Sequence, residues 1–197
     1  MVINYMSAHD NNTLWDKLLL SNPNDSEEDR NRMNKLGAAI LMISQGTPFW
    51  QAGEEMLRTK NGVENSYRSS DAVNNIDWSL LKEGTKEHKT MLYYKGLIEM
   101  RKAYGIFSRC GAVDATYLGD GAVALKMWDG CGGAAIVLIN PCRRDVHYGL
   151  DGEWNLVADA SKAGTKTIAH VSGGICVEPL SMQVYINDTL AKEYFFR

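Results

Sequence analysis

Apolar and polar positions set two different rhythms along this chain. Residues 2–8 are largely apolar and break abruptly into His9-Asp10-Asn11-Asn12, the pattern of a buried strand opening into a polar cluster. Ser21-Asn22-Pro23-Asn24-Asp25 is rich in turn formers and predicts a loop. A helix follows: Ser26 can cap it, Asp29 three residues on is a short version of a capping box, and Glu27 and Glu28 favour the positive end of the dipole. Met33, Leu36, Gly37, Ile40, Leu41 and Ser44 recur at helical spacing and predict one buried stripe, ended by Gly46. Residues 47–52 predict a second short strand, again opening into a polar group, Gly53-Glu54-Glu55. A polar stretch over residues 57–85 is longer than most loops. It leads into a helix predicted over 86–104, with Met91, Tyr94, Leu97, Ile98 and Arg101 on one face and Gly105 as its stop.

Beyond Gly105 the period shortens to two. Strands are predicted over 112–118, 122–128, 134–140, 153–158, 165–171 and 182–187, and Gly119-Asp120-Gly121 and Asp129-Gly130-Cys131-Gly132-Gly133 are hairpin signals. Two strand-then-helix units followed by antiparallel strands predict an α/β segment over residues 1–105 and an all-β sandwich over residues 106–197.

Composition narrows the function classes. The 197 residues carry a net charge of −3, with acidic and basic side chains interspersed, which argues against nucleic acid as a partner. No apolar run approaches the roughly 18 residues that span a bilayer, so no membrane partner is expected. Cys110, Cys131, Cys142 and Cys176 are widely spaced with no C-x-x-C pair, so they are expected to be free thiols among small hydrophobes rather than zinc ligands. No phosphate-binding loop, dinucleotide fingerprint or G-x-S-x-G elbow is present, and neither metal nor cofactor is expected.

Both polar clusters follow a strand, which is where a parallel α/β barrel builds its active site. The first offers His9, Asp10, Asn11 and Asn12. The second offers Glu54 and Glu55, and the loop behind it adds Asn65, Tyr67, Asp71, Asn74, Asn75 and Trp78. Carboxylates and amides hydrogen-bond sugar hydroxyls, and aromatic faces take the C–H side of a pyranose. The same residues also have a plain reading: His-Asp-Asn-Asn composes an ordinary turn, and Glu54 and Glu55 are solvated surface acids.

The stretch Tyr5-Met6-Ser7-Ala8-His9-Asp10-Asn11-Asn12-Thr13-Leu14-Trp15-Asp16 closely resembles the last signature block of type I pullulanases in the α-amylase family. The likeness continues through Ser21-Asn22-Pro23, Arg30-Asn31-Arg32-Met33-Asn34-Lys35, Phe49-Trp50-Gln51-Ala52-Gly53-Glu54-Glu55, Leu57-Arg58-Thr59-Lys60, Asn65-Ser66-Tyr67 and Asp71-Ala72-Val73-Asn74-Asn75-Ile76-Asp77-Trp78. It implies the seventh and eighth βα units of a (β/α)8 TIM barrel followed by a C-terminal antiparallel β-sandwich. It also implies hydrolysis of α-1,6 linkages in pullulan or branched α-glucan, with retention. On this resemblance Asp10 is the transition-state stabiliser and His9 grips the same glucosyl unit. Asn11, Tyr67, Asp71 and Asn75 contact substrate, although many relatives carry a basic residue where Asn75 stands. The family's nucleophile and general acid follow earlier strands. They are expected outside these 197 residues, in the missing N-terminal barrel portion, leaving the chain alone inactive. The alternative is a non-catalytic α-glucan-binding or interaction fragment.

Overall fold

The computed structural model describes residues 2–109 and 111–192. Two short strands, β1 (Ile3–Tyr5) and β2 (Thr47–Phe49), pair in parallel with Ile3 opposite Thr47 and Tyr5 opposite Phe49. Between them run α1 (Leu14–Ser21) and α2 (Glu27–Ile43). After β2 the polar stretch holds the four-residue helix α3 (Asp71–Asn74) and single 3-10 turns at Glu54–Met56 and Trp78–Leu80. Helix α4 (Lys86–Ala103) closes this half.

The Ser26 cap is the one the sequence announces; Thr85, which caps α4, was not singled out there. Ser26 accepts the Asp29 N–H at 3.0 Å and Thr85 accepts that of His88 at 3.1 Å. Helix α1 was not expected, although its own signal is present: Thr13 accepts the Asp16 N–H at 3.2 Å. A Thr-x-x-Asp start so close to the polar cluster is easily taken for more of the same turn.

The second half is one six-stranded antiparallel sheet ordered β3-β4-β5-β8-β6-β7: β3 (Ala112–Gly119), β4 (Ala122–Trp128), β5 (Ala134–Asn140), β6 (Val146–Ala158), β7 (Ala169–Val177) and β8 (Ser181–Ile186). Positive φ at both Asp120 (50°) and Gly121 (87°) is the hairpin geometry that the Gly-Asp-Gly signal predicts. The expected sandwich takes the form of this single sheet folded on itself. Only the last part of β6 (Asn155, Leu156, Ala158) pairs with β8, while its first part, beyond an irregularity between Leu150 and Glu153, pairs with β7 alone. That limb turns back over β5 and β8 and encloses Ala124, Ile136, Leu138, Leu150, Val177 and Tyr185. Strand β6 begins earlier than predicted, and β7 both begins later, at Ala169 rather than 165, and ends later, because Gly149, Gly152, Gly173 and Gly174, which look like turn residues in the sequence, lie within these strands around the bulge.

The main core lies on the other face of the sheet. Leu41 and Met42 of α2 and Leu97 and Met100 of α4 pack with Val137, Val157, Met182 and Val184. Strand β5 is therefore buried on both faces, Ala135 and Val137 on one side and Ile136 and Leu138 on the other. Both helices are rotated from the predicted stripes. Ile40 is 37% exposed while Ala38, Ala39 and Met42 are buried, and on α4 Thr90, Tyr93 and Gly96 are buried where Met91 and Ile98 are half-exposed. The reason is polar burial between the helices. Thr90 Oγ1 donates to Asn31 Oδ1 at 3.0 Å and Tyr94 Oη to Asn34 Oδ1 at 2.8 Å, so asparagines sit where periodicity sought aliphatic residues. The thiols of Cys131, Cys142 and Cys176 are free, but Cys131 and Cys176 are exposed rather than buried; Cys110 lies outside the described residues.

Helix α4 meets the loop after β6 at a point where a side chain cannot fit. A Cβ on Gly96 would stand 2.0 Å from the Ala163 carbonyl oxygen. Gly96→Ala gains about 1 kcal/mol of helix propensity but overpacks against backbone, a penalty of roughly 1–3 kcal/mol. We expect a net loss of stability in urea denaturation, whereas Gly149→Ala, whose Cβ meets no atom within 4 Å, lacks that steric penalty. An unchanged midpoint for Gly96→Ala would refute this contact.

Candidate functional site

The chain leaves β1 through Met6 and Ser7 and enters a turn at His9 and Asp10. Adjacent side chains on a strand would point apart; in this turn they converge, with His9 Nε2 3.0 Å from Asp10 Oδ1. Both are open to solvent, 81% and 86% exposed. Asn11 is also exposed, and its Oδ1 accepts the Asn12 N–H at 2.8 Å.

Beneath this exposed turn lies a hydrogen-bonded support of buried charged residues that sequence reasoning missed. Asp16, in the first turn of α1, is buried; its Oδ2 accepts the Lys60 N–H at 2.7 Å and its Oδ1 accepts the Thr59 hydroxyl. Lys60 is itself buried, and its Nζ donates to the His9 carbonyl oxygen at 3.1 Å. Lys17 Nζ donates to the Met6 carbonyl at 3.1 Å, steadying the strand end from the other side. The sequence held one signal for this arrangement: Lys60 closes Leu57-Arg58-Thr59-Lys60, one of the stretches that carry the resemblance.

The second cluster differs from the plain reading. Glu54 is not a surface acid: it is 2% exposed, accepts the Ser7 hydroxyl and, at 3.2 Å, the Gln51 N–H, and leaves Oε2 without a protein partner. Burial pushes its carboxyl above the ordinary glutamate range, opposed by the Ser7 and Gln51 hydrogen bonds. Ser7 and Glu54 thus tie the segment after β1 to the segment after β2. Glu55 is half-buried and accepts the Gly53 N–H at 3.0 Å.

The remaining expected site residues lie on and around α3. Tyr67 is 72% exposed, with the Arg68 guanidinium 5.1 Å from its ring centre. Asp71 opens α3 and Asn75 caps its C-terminal end, both exposed. This segment is anchored by Asn74, whose Nδ2 donates to the Ser66 and Ser69 carbonyls at 2.7 and 3.1 Å and whose carbonyl accepts from Arg58 Nη2. Among the described residues no hydrogen bond or ion pair joins Tyr67, Asp71 or Asn75 to His9 or Asp10; Arg58 reaches Asn74 beside the one group and Lys60 reaches His9 in the other. Nor do the described residues hold a group of three His, Cys, Asp or Glu side chains that could hold a metal ion. What the arrangement offers chemically is an exposed carboxylate–imidazole pair on a stiff base, ready to hydrogen-bond vicinal hydroxyls.

No family model matches the chain. It is 43% identical over 112 residues to the pullulanase of Bacillus subtilis strain 168, an alignment covering 57% of this chain and 15% of that protein. It superposes on the pullulanase from Bacillus acidopullulyticus with a TM-score of 0.87 and 34% identity, covering 94% of this chain and 24% of that one. For the pullulanase from Anoxybacillus sp. LM18-11 complexed with maltotetraose the TM-score is 0.82 at 29% identity, covering 94% of this chain and 27% of that one. Relatives and structural neighbours are thus pullulanases, and they cover most of this chain while the chain matches only a segment of each.

The buried Glu54 gives the site a pH signature. A carboxyl whose folded-state pKa is raised binds more protons folded than unfolded. Stability is therefore lost as pH rises from the ordinary glutamate range through the folded value. Glu54→Gln keeps an acceptor for Ser7 and Gln51 without the charge. The stability difference between variant and wild type should move in the variant's favour as pH rises through that window, measured by urea denaturation. A difference that stays flat with pH would show that the carboxyl is not desolvated.

Proposed function

We propose that these residues form the transition-state-stabilising part of the catalytic domain of a pullulanase-type debranching glycoside hydrolase, acting on α-1,6 bonds of pullulan or branched α-glucan. The observation that carries this reading is the face of β1 and β2 that ends in the His9–Asp10 turn. Ile3, Tyr5 and Phe49 share that face, 60%, 63% and 47% exposed, with Tyr5 and Phe49 edge to face at 6.4 Å. The opposite face, carrying Met6 and Trp50, packs toward the helices. Parallel strands with helices on one side and bare apolar residues on the other are what two neighbouring units of a (β/α)8 barrel present when other strands are not there to close it. On this reading β1 and β2 are the seventh and eighth strands, residues 1–105 belong to the barrel and residues 106–197 to the C-terminal sandwich domain.

The chemistry follows from that placement. A retaining glycosidase holds a carboxylate nucleophile and a carboxylic acid roughly 5 Å apart across the scissile bond, and passes through an oxocarbenium-like transition state. Asp10, with its carboxylate free to solvent, accepts hydrogen bonds from hydroxyls of the reacting glucosyl unit. Those bonds tighten as positive charge develops on the ring, so they lower the barrier rather than merely bind. His9 donates to the same unit and orients the Asp10 carboxylate. Asn11 adds a polar contact. Tyr67, Asp71 and Asn75 wall the site on the loop side. Glu54 is no candidate for the acid, because it is sealed from solvent and committed to Ser7 and Gln51. Nucleophile and acid are assigned to other strands of the barrel.

Two outcomes test this. The 197 residues as an isolated polypeptide should release no reducing ends from pullulan. Grafted in place of the matching segment of the Bacillus acidopullulyticus pullulanase, they should support hydrolysis, and Asp10→Asn in that chimera should lower kcat by at least about 100-fold, the lower range for losing one transition-state stabiliser. A folded but inactive chimera, or an Asp10→Asn change confined to KM, would overturn the reading.

A further inference from the structure

We propose that Lys60 is a positioning residue for the His9–Asp10 turn: its ammonium, delivered by a loop pinned to Asp16, holds the His9 carbonyl and so biases the direction in which Asp10 presents its carboxylate. The inference rests on the role of Asp10 given above and deepens it.

Lys60 as a whole residue is 3% exposed, uncommon for a lysine unless its charge is compensated. Burial and the nearby Arg58 charge push its pKa below the ordinary lysine value, while Asp16 and Asp10 oppose that fall. The two acids play different parts. Asp16 is as buried as the lysine and spends both oxygens on the loop itself, one on the Thr59 hydroxyl and one on the Lys60 N–H. Thr59 Oγ1 in turn accepts the Asn61 N–H at 2.8 Å. The loop is thus tied down on both sides of Lys60, and its backbone takes a left-handed conformation at Leu57 and Asn61, with φ of 58° and 54°. Such a path persists only where surrounding contacts hold it. From that backbone the Lys60 side chain runs to the turn, where Nζ meets the His9 carbonyl at 3.1 Å.

That carbonyl belongs to the peptide linking His9 to Asp10. Fixing its oxygen fixes the plane of the peptide, and with it the place of the Asp10 Cα and the N–Cα axis about which the Asp10 side chain swings. Exposed carboxylates are otherwise free to rotate. The pairing of Asp10 with His9 restrains the side chain from above, and Lys60 restrains its base from below. Tight positioning is worth this much structure because displacements on the order of 1 Å cost about 100-fold in rate.

The test uses the chimera described above, with circular dichroism and thermal midpoint recorded for every variant. Lys60→Met should lower kcat by about 10- to 100-fold, the scale of a misplaced catalytic group, with KM little changed and the fold intact. Lys60→Arg, which retains a cation able to donate to the His9 carbonyl, should fall between Lys60→Met and wild type. Asp16→Asn, which frees the loop while leaving Lys60 in place, should reproduce the kcat loss and stands in if Lys60→Met does not fold. Full kcat in Lys60→Met or Asp16→Asn, in a chimera where Asp10→Asn is inactive, would overturn the positioning role and leave the functional reading standing. A loss of kcat that merely tracks loss of folded protein would overturn it as well. Full kcat in Asp10→Asn would instead remove the functional reading, and this role with it.

Discussion

One guanidinium gathers the end of α2, the turn before β2 and the start of the second half at a single point. Arg101, near the end of α4, places Nη1 at 2.6 Å from the Met42 carbonyl and 2.9 Å from those of Ser44 and Phe107, while Nη2 lies 2.7 Å from the Gly46 carbonyl. These carbonyls belong to the end of α2, the turn that launches β2, and the segment leading into the sheet. A helix end leaves carbonyl oxygens unpaired, and a buried unpaired carbonyl costs free energy comparable to a lost hydrogen bond. Arg101 satisfies several at once, and the charge complements the negative end of the α2 dipole. The exit of β2, the pairing of β1 with β2 and the position of both polar clusters all depend on where that turn is fixed.

Around that point the packing is mixed rather than layered by polarity. The aliphatic core joins α2 and α4 to the sheet, yet the helices meet each other through Asn31, Asn34, Thr90 and Tyr94. The same economy governs the site. Its solvent-facing residues, His9 and Asp10, are few and exposed, and the turn that carries them rests on buried residues: Asp16 and Lys60, with Ser7 and Glu54 beside them. An exposed polar turn keeps one geometry only on such a base, since a side chain that solvent surrounds on every side has no preferred direction of its own.

Much was legible from the sequence, for local reasons. Helix starts were readable at Ser26 because a cap is a contact between residues three apart. The β4 and β5 spans were readable because strict alternation and flanking glycines act over a few positions. The His9–Asp10 cluster stood out as polar residues interrupting an apolar run. Three things were not legible. The rotation of α2 and α4 depends on which asparagine meets which hydroxyl across sixty residues. The extension of β6 and β7 through Gly152 and Gly173 depends on a bulge formed only when the strands pair. The support under His9 depends on Asp16 and Lys60, separated by 44 positions and brought together by the loop after β2.

By itself, then, the sequence determined the elements, the period change after Gly105, the polar turn after the first strand and the likeness to pullulanases, since each is written in neighbouring residues. Tertiary structure alone decided which carboxylate is exposed and which is buried. Asp10 and Glu54 look alike as acids that follow a short strand. Desolvation separates them: one stands free beside an imidazole, and the other is sealed against Ser7 with its charge disfavoured. No local pattern encodes that difference, because burial is set by what the rest of the chain packs on top.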